Sequence, residues 1–533
     1  MDIRLQFATE MINSPQEELA RFHIAVATEM PKWEVTLRQS PDSLFDIERV
    51  ADDYFRNGAG KIVASLLAAT SKTPEVEAAV ASLPSETETP LRPPTRTGLI
   101  VKLLCGIVLE ITTLYCAPAR SNKNDSITEK RLGIYPELAV YGFAKGVSAA
   151  LEDRIVRAAV LYPSFEVAQR ALAKDGLDLD TKTIRRVTLQ CGETLLAERR
   201  EKVESFLCGK MPVGNALCGK DVVVEEDGGR MRQRENIVPS LKKPGDHPKF
   251  RAEWREPKLF IIYCVDHEGK KEKDSEVWMD ATFQGADHAA EMLAARLHEL
   301  GAVKAKSVTF LADGANCLWD RFDWVVEAVH LDRNIVHFIL DFFHAAHHIS
   351  LAIAELGYDH VKRRELYKEL RHELRQSRWE YVVDRLEELG KDLVKAAELE
   401  TTPVSKTGAS NFVRELNYLR KHGTAGHLCY VKFSRRGLPL GSGAVESAIR
   451  RVINLRLKSN GMFWTPENAE KVLQVRCQLL SSQWDRCCNV LRFRRRRTRS
   501  RHWRWEAFDR SSSARSVNSD ATPTPTKCRN SSA

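Results

Sequence analysis

The chain has 533 residues, of which 43% are hydrophobic, which at roughly 100–200 residues per domain is enough for several folded domains. Its net charge is +9, but Arg492–Arg504 alone carries eight arginines and no acid, so the remainder is close to neutral. Overall charge therefore excludes a uniformly basic nucleic-acid binder, and basicity lies in the tail and in local patches. Twelve cysteines without a CxxC pair exclude a disulfide framework and a complete zinc ribbon.

Residues 1–95 are predicted to form a helical N-terminal region that ends in a linker. Amphipathic stretches such as Glu18–Glu29 and Leu44–Ala69 indicate helices, and the Pro-, Ser- and Thr-rich Ser82–Arg96 is typical of a linker. The first residues show no basic segment followed by an apolar one, so we expect no secretory signal and a cytoplasmic protein.

Residues 96–134 are predicted to form a β-hairpin, or a degenerate ribbon-like segment. The apolar stretch Leu99–Ala117 is rich in Val, Ile and Thr, and Lys102 and Glu110 interrupt it. This pattern favours a hairpin of Leu99–Leu104 and Ile107–Tyr115 over a membrane span, and we expect no membrane partner.

Residues 135–215 are predicted to form a helical domain of helix-turn-helix type. Phe165–Ala173 would be the first helix, followed by a turn at Asp175-Gly176. Asp180 or Thr181 would cap the second helix. That helix would present basic side chains to DNA phosphates or base edges, namely Lys182, Arg185 and Arg186. An ordinary helical hairpin remains open as the alternative.

Residues 216–349 change to an alternating pattern of strands and helices. Three strands (DVVVEED, KLFIIYCVDHEG and EVWMDATFQG) are followed by a helix, a strand, a helix, a strand and a helix. This is the element order of an RNase H-like fold, which expects acids on the first and fourth strands. We predict an α/β protein with an RNase H-like catalytic core, preceded by a mostly helical DNA-binding region.

The rest of the chain is predicted to continue this core after an interruption. Residues 350–435 are charged and helical, which indicates a long helical insertion. Residues 436–490 would then supply the final catalytic helix region. Residues 491–533, rich in Arg, Ser and Thr, are predicted to be a disordered tail.

Three acids are the candidate catalytic residues. Asp227 and Asp313 each follow a β-forming run, and Glu446 follows a Gly-Ser-Gly loop at the start of a helix. Three converging carboxylates hold two divalent metals, a general arrangement for cutting and joining phosphodiesters, and hard cations such as Mg²⁺ prefer oxygen ligands. Singly, each acid also fits a turn, a helix cap or a surface ion pair. Gly228 and Gly229 would allow close approach of a metal or a phosphate.

Asp341 and His344 are the candidate accessory pair, at a predicted strand-to-helix junction. His344, His347 and His348 do not match a zinc-ligand spacing, so an acid with a nearby histidine is the better interpretation.

Residues from about 135 to 490 resemble bacterial insertion-sequence transposases of the DDE type, specifically the Kra-like group, which is distantly similar to Mutator-like transposases. The resemblance is carried by LPLGSGAVESAIRRVINLRLKSNGMFWTPENAEKVLQVRCQLLSSQWD, together with LADGANCLWD and LDFFHAAHHI. It implies that Asp227, Asp313 and Glu446 are the catalytic triad and hold two Mg²⁺ or Mn²⁺ ions. Asp341 and His344 would form the accessory element.

The resemblance also implies partners. These are double-stranded DNA at the element ends and at the target, and a second copy of the chain, since two ends must be brought together. Arg450, Arg456 and Lys458 would contact DNA, and the cytoplasmic protein would associate with the nucleoid when bound. Similar proteins often carry a cysteine pair for zinc, whereas here only Cys116 stands in that place, so zinc is not expected.

Two other functions fit the same residues. One is an inactive or domesticated transposase that acts only as a DNA-binding protein. The other is a metal-dependent RNase H-like nuclease without joining activity, which would share the three acids but would not need to recognise element ends.

Overall fold

The computed structural model describes residues 1–5, 12–84, 91–119, 133–144, 146–236, 250–273, 275–399, 403–459, 461–481 and 483–495. These residues form a mixed α/β protein, which divides into two compact units, Met1–Leu151 and Glu152–Arg494. The division predicted from the sequence is finer than these two units, and its helical segment 135–215 spans the boundary. Residues 120–132 and the part of the predicted disordered tail beyond residue 495 lie outside the described residues.

The first unit is built on a three-stranded antiparallel sheet. The predicted hairpin is confirmed, and a short N-terminal strand, which the sequence did not indicate, adds to its outer edge in the order β1-β3-β2. Burial alternates along β2 and β3, so one face of the sheet covers a core. In chain order the elements are β1 (Asp2–Leu5), α1 (Pro15–Gln39), α2 (Leu44–Thr70), α3 (Pro74–Ser82), β2 (Thr95–Lys102), β3 (Val108–Tyr115) and α4 (Pro136–Val140).

Helix α5 runs from the first unit into the second, which contains all later elements. Among the described residues of both units, no helix has the length and apolar character to cross a membrane. The remaining elements are α5 (Ala149–Leu161), α6 (Phe165–Lys174), α7 (Thr181–Leu207), β4 (Asp221–Gly228), β5 (Met231–Asn236), β6 (Phe250–Arg255), β7 (Lys258–Val265), β8 (Trp278–Thr282), α8 (Ala286–Leu300), β9 (Ser307–Ala312), α9 (Asn316–Val329), β10 (Val336–Leu340), α10 (Phe342–Glu355), α11 (His360–Arg375), α12 (Trp379–Leu399), α13 (Pro403–Thr424), α14 (Tyr430–Arg435), α15 (Gly443–Ile449), α16 (Leu455–Leu457), α17 (Pro466–Leu480) and α18 (Trp484–Arg495).

A mixed five-stranded sheet forms the centre of the second unit, in the order β10-β9-β4-β7-β8. β4 runs parallel to β9, which is parallel to β10, and antiparallel to β7, which is antiparallel to β8. β8 and β9 are buried along their whole length and β7 nearly so, as expected for strands covered by helices on both faces. The predicted order of strands and helices in residues 216–349 is confirmed, but β5 and β6, a two-stranded hairpin between β4 and β7, were not predicted.

Helices α6 and α7 are joined by the predicted turn at Asp175-Gly176, which fits a helix-turn-helix and an ordinary helical hairpin alike. Gly176 takes a positive φ of 74° in the turn, where a side chain would be strained. Leu177 and Leu179 are each 3% exposed and pack inward. Asp180 caps α7 by accepting a hydrogen bond from the N–H of Thr183 at 2.7 Å.

The predicted charged helices between β10 and α15 are also present. α11 begins after Asp359, whose side chain accepts hydrogen bonds from two N–H groups of the first turn. Its buried residues, Leu366, Leu370 and Leu374, recur every four positions. They form an apolar stripe that packs into the hydrophobic core around the five-stranded sheet. This helical segment therefore belongs to the same core as the sheet.

Candidate functional site

Three aspartates lie side by side at the carboxyl ends of the three parallel strands. Asp227 ends β4, Asp313 follows β9 and Asp341 follows β10. The parallel register pairs the three residues that immediately precede these aspartates. Because neighbouring strands lie about 4.8 Å apart, the structure brings the aspartates to the same level of one sheet edge.

The charge of Glu446 affects the pKa of Asp227 at this end of the sheet. The pKa of Asp227 is raised to about 6, chiefly by burial and in part by the negative charges of Asp313 and Glu446. The backbone N–H of Gly228 and the side chain of His344 act in the opposite direction. Asp313 and Glu446 are thus near enough to Asp227 to affect its pKa, and perturbed carboxyl groups of this kind are common at functional sites.

Two buried carboxylates fix the helix that carries Glu446. Asp341 accepts hydrogen bonds from both the N–H and the hydroxyl of Ser442, and Glu225 accepts one from the N–H of Val445 at 2.8 Å. The first N–H groups of a helix have no partner within it, so these acids satisfy them and match the positive end of the helix dipole. Glu446 itself is exposed, and no ion pair joins it to Arg450 or Arg451 among the described side chains.

Asp341 and His344 are adjacent, as predicted. Asp341 also accepts hydrogen bonds from the N–H groups of Phe343 and His344, at 2.6 and 2.9 Å. Burial alone would raise the pKa of Asp341, but its interactions with His344 and Ser442 hold that pKa at about 2. His344 Nδ1 lies 3.7 Å from Asp341, which raises the pKa of the imidazole, and Asp313 and Asp227 add to this effect. The pair supplies a fixed anion and an imidazole whose protonated form these acids favour.

Sequence reasoning missed two buried acids that precede Asp227. Glu225 accepts a hydrogen bond from the Tyr263 hydroxyl, and burial raises its pKa to about 7. Burial raises the pKa of Glu226 to about 8, although Lys258 and Arg321 lower it in part. The signal was available, because three consecutive acids at the end of a buried strand are costly and need a reason.

A side chain of helix α13 holds the loop that carries Asp313. Tyr418 on α13 donates a hydrogen bond to the carbonyl oxygen of Asp313 at 2.8 Å. Gly314 next to it has a φ of 82°, and a Cβ there would lie 2.1 Å from the Tyr418 hydroxyl. His348 stacks on the Tyr418 ring at 3.6 Å and is hydrogen bonded to Glu415. His348 therefore helps to hold Tyr418 in position.

The glycines after Asp227 have a packing role that the sequence did not indicate. A Cβ on Gly229 would lie 2.6 Å from the Ile453 side chain, so this glycine admits the helical segment that follows Glu446. That segment contains a π-helical turn, Arg450–Asn454. The buried Arg476 donates to the carbonyl oxygens of Val452 and Arg451 and so satisfies groups that the wider turn leaves open.

Most of the predicted DNA-contacting residues are on the surface. Lys182, Arg185 and Arg186 are exposed on the first turns of α7, and Arg450 and Lys458 are exposed near Glu446. Their exposure is compatible with phosphate contacts, which stay a prediction.

The prediction that Arg456 contacts DNA is wrong. Arg456 is 1% exposed and donates to the carbonyl oxygen of Ala159 at 3.0 Å. Its guanidinium lies between aromatic rings, 4.9 Å from the centroid of Phe165 and 5.1 Å from that of Trp464. The side chain joins three parts of the second unit, and a one-dimensional pattern of basic residues does not distinguish this role from a surface one.

The donor groups at the site are carboxylate oxygens, which suit hard divalent cations rather than zinc. As the side chains stand, no three His, Cys, Asp or Glu residues in the described part of the chain converge into a metal-ligand set. Cys116, the one cysteine at the place of the cysteine pair that similar proteins often carry, is buried, and burial raises the pKa of its thiol.

A scan against protein-family models, a search of curated proteins and a search of solved structures each found no match for this chain.

Proposed function

We propose that the chain is a DDE-type DNA transposase that binds the terminal repeats of an insertion sequence, cuts the DNA and joins the ends to a target. The observation that carries the proposal is that Asp227 and Asp313 lie at the carboxyl ends of adjacent parallel strands, where burial and the charges of Asp313 and Glu446 raise the pKa of Asp227. Acids at the carboxyl ends of adjacent parallel strands are a usual location for chemistry in α/β proteins.

The arrangement of the sheet supports an RNase H-like core. That fold requires acids on its first and fourth strands, and β4 and β9, the first and fourth strands of the five-stranded sheet, are paired in parallel. The helices α11–α14 between β10 and α15 fit the helical insertion that the resemblance implies.

The three carboxylates would hold two Mg²⁺ or Mn²⁺ ions, which when bound activate the attacking oxygen and stabilise the leaving one. The fit rests on the oxygen donors and on the like charges that raise the pKa of Asp227, since a cation relieves this repulsion. Glu446 must approach the aspartates on binding, because it is exposed and outside any three-ligand set among the described residues.

The remaining residues of the site would act by position. Asp341 and Glu225 hold the first turn of α15 and so set the direction of Glu446. Tyr418 fixes the backbone of Asp313. No side chain is needed as a covalent nucleophile in this mechanism. Exposed basic residues would bind DNA phosphates, and the joining of two ends requires at least a dimer.

A strand-transfer assay tests the proposal. Purified protein, a labelled element end and target plasmid are incubated with Mg²⁺ or Mn²⁺, in parallel with Asp227→Ala, Asp313→Ala and Glu446→Ala. We expect joined product from the wild type and none from the three variants, although each still binds the labelled end. Full activity in any of the three variants would contradict the assignment of that acid.

A DNA-binding protein without catalysis is the second candidate, and the exposed position of Glu446 favours it. In the same assay this protein binds the element end and yields neither nicked nor joined product. Nicked DNA without joined product identifies instead a metal-dependent nuclease.

A further inference from the structure

The β5–β6 hairpin presents one face that is rich in arginine and aromatic side chains. The antiparallel register places Arg232 opposite Trp254 and Arg234 opposite Ala252, so side chains of alternate positions share a face. This arginine face consists of Arg230, Arg232, Arg234, Phe250, Ala252 and Trp254. It contains three guanidinium groups and no carboxylate.

The opposite face of the same hairpin is electrically balanced. Arg255 forms ion pairs with Glu235 and Glu253, at 3.1 and 2.9 Å, and Arg251 pairs with Glu253 at 3.1 Å. No such pair within 4.0 Å joins Arg230, Arg232 or Arg234 to an acid of the described residues. The uncompensated positive charge of the hairpin is therefore confined to the arginine face, which makes this face complementary to a polyanion.

Two large aromatic side chains interleave with this charge. Trp254 is 49% exposed and Phe250 is 40% exposed. The guanidinium groups of Arg230 and Arg232 lie 5.6 and 4.9 Å from the Trp254 ring centroid. These contacts keep the cations beside an accessible aromatic ring, which is the combination by which proteins bind single-stranded nucleic acid.

The hairpin is also held firmly and begins beside the catalytic site. Met231 is fully buried and Gln233 is 4% exposed on the side that faces the protein. The N–H of Arg234 donates to the carbonyl oxygen of Trp464 at 2.9 Å. Arg230 and β5 follow Asp227 directly after its two glycines. A strand bound to the arginine face would therefore enter or leave the site at Asp227.

We infer that the arginine face binds an unpaired DNA strand next to the cleavage site, with guanidinium groups at phosphates and a base stacked on Trp254. A stacking partner must expose the face of a base, and within a duplex these faces are covered by neighbouring base pairs, which favours a single strand. The inference rests on the proposed function for the identity of the polymer as DNA.

The test measures DNA binding in EDTA, so that no cleavage occurs. Fluorescence anisotropy is recorded with labelled oligothymidine, with a blunt duplex and with a duplex that has an unpaired flank. Arg232→Ala and Trp254→Ala are compared with Arg251→Ala, which removes the same charge from the opposite face of the hairpin. Trp254→Phe retains an aromatic ring, and thermal melting checks that each variant is folded.

We expect Trp254→Ala to weaken binding of oligothymidine and of the flanked duplex roughly fivefold or more, and Trp254→Phe to restore most of it. Arg232→Ala should weaken binding and reduce the slope of log K against log salt by about 0.7. Arg251→Ala should bind like the wild type, and none of the variants should lose more than a little affinity for the blunt duplex.

Equal affinities of Arg232→Ala, Trp254→Ala and Arg251→Ala for oligothymidine would overturn the inference, as would equal losses on the blunt duplex. The strand-transfer assay separates this failure from failure of the proposed function. If joined product forms and the hairpin variants bind oligothymidine like the wild type, the single-strand site is rejected and the proposed function is kept. Hairpin-dependent binding without any nicked or joined product rejects catalysis and keeps the strand site.

Discussion

Two groups of buried charge in the second unit differ in whether an arginine forms ion pairs with the acids. At the far end of the sheet from β10, Arg199 lies 3.2 Å from Asp280 and 2.5 Å from Glu470. Burial works to lower the pKa of Arg199, but the two carboxylates outweigh it and raise the pKa. At the carboxyl ends of β4 and β9, by contrast, burial and neighbouring acids raise the pKa of Asp227.

The difference separates a structural charge cluster from a candidate site. A buried ion pair that is complete stabilises the structure mainly because its partners would be costly alone. A group of acids without sufficient cations is costly as it stands, and natural proteins retain such groups where a ligand or a reaction uses them. The arginine cluster would therefore respond to substitution by losing stability, and the acid cluster by losing activity.

The largest expected effect is a loss of stability when the cluster of Arg199, Asp280 and Glu470 loses its arginine. Arg199→Met leaves Asp280 and Glu470 buried without a cation, and we expect the free energy of unfolding to fall by about 3–5 kcal/mol. Urea denaturation followed by circular dichroism measures this change. Arg200→Met is the control, because the side chain of Arg200 is 64% exposed. Similar stability of the two variants would contradict the structural role of the cluster.

Asp227→Asn should show the opposite behaviour. We expect cleavage of the element end to fall at least a hundredfold, about 2.7 kcal/mol of activation free energy, while the free energy of unfolding stays equal or rises. The free energy of unfolding is not expected to fall, because the amide removes a charge that burial disfavours. Asp221→Asn, the same change at the other end of β4, should cleave normally. Cleavage rates from single-turnover gels decide the point, and a strongly destabilised Asp227→Asn would show that this acid is structural.

The pH dependence of the free energy of unfolding tests whether burial raises the pKa of Glu226. Its pKa is about 8 in the folded protein and 4.5 without the fold, so the folded state binds more protons between these values. Stability is therefore lost as the pH rises through this window, by at most about 1.4 kcal/mol per pH unit. Glu226→Gln should remove this loss, so that its advantage over the wild type grows from about pH 5 to 8. Urea unfolding at several pH values measures it, and parallel curves would argue against a buried, uncompensated Glu226.

The smallest expected effect concerns the support of Asp313. Tyr418→Phe removes one hydrogen bond to the carbonyl oxygen of Asp313, and we expect a loss of about 0.5–1.5 kcal/mol, seen as a several-fold slower cleavage with unchanged DNA affinity. Tyr381→Phe, which removes an exposed hydroxyl from α12, is the matched control. An equal effect of both substitutions on cleavage would exclude a positioning role for Tyr418.

The sequence by itself determined the order along the chain of the helices and of the strands of the five-stranded sheet, because β-branched runs, helical periodicity and caps are local signals. It placed Asp227 and Asp313 at strand ends for the same reason, and it limited the cap of α7 to Asp180 or Thr181, of which the structure shows Asp180. It did not indicate the β5–β6 hairpin, since RMRQREN, which contains β5, is polar apart from Met231 and lacks the apolar alternation by which a strand is usually found.

Only the tertiary structure decided which charged residues face water and which meet each other. Arg456 lies in a basic run like Arg450 and Lys458, yet it is buried between two aromatic rings, because residues far away in the sequence close over it. Glu225 binds the first turn of α15 through a hydrogen bond that joins distant parts of the chain. Local propensity is encoded over a few residues, whereas burial, pKa and partnership depend on contacts that exist only after the chain has folded.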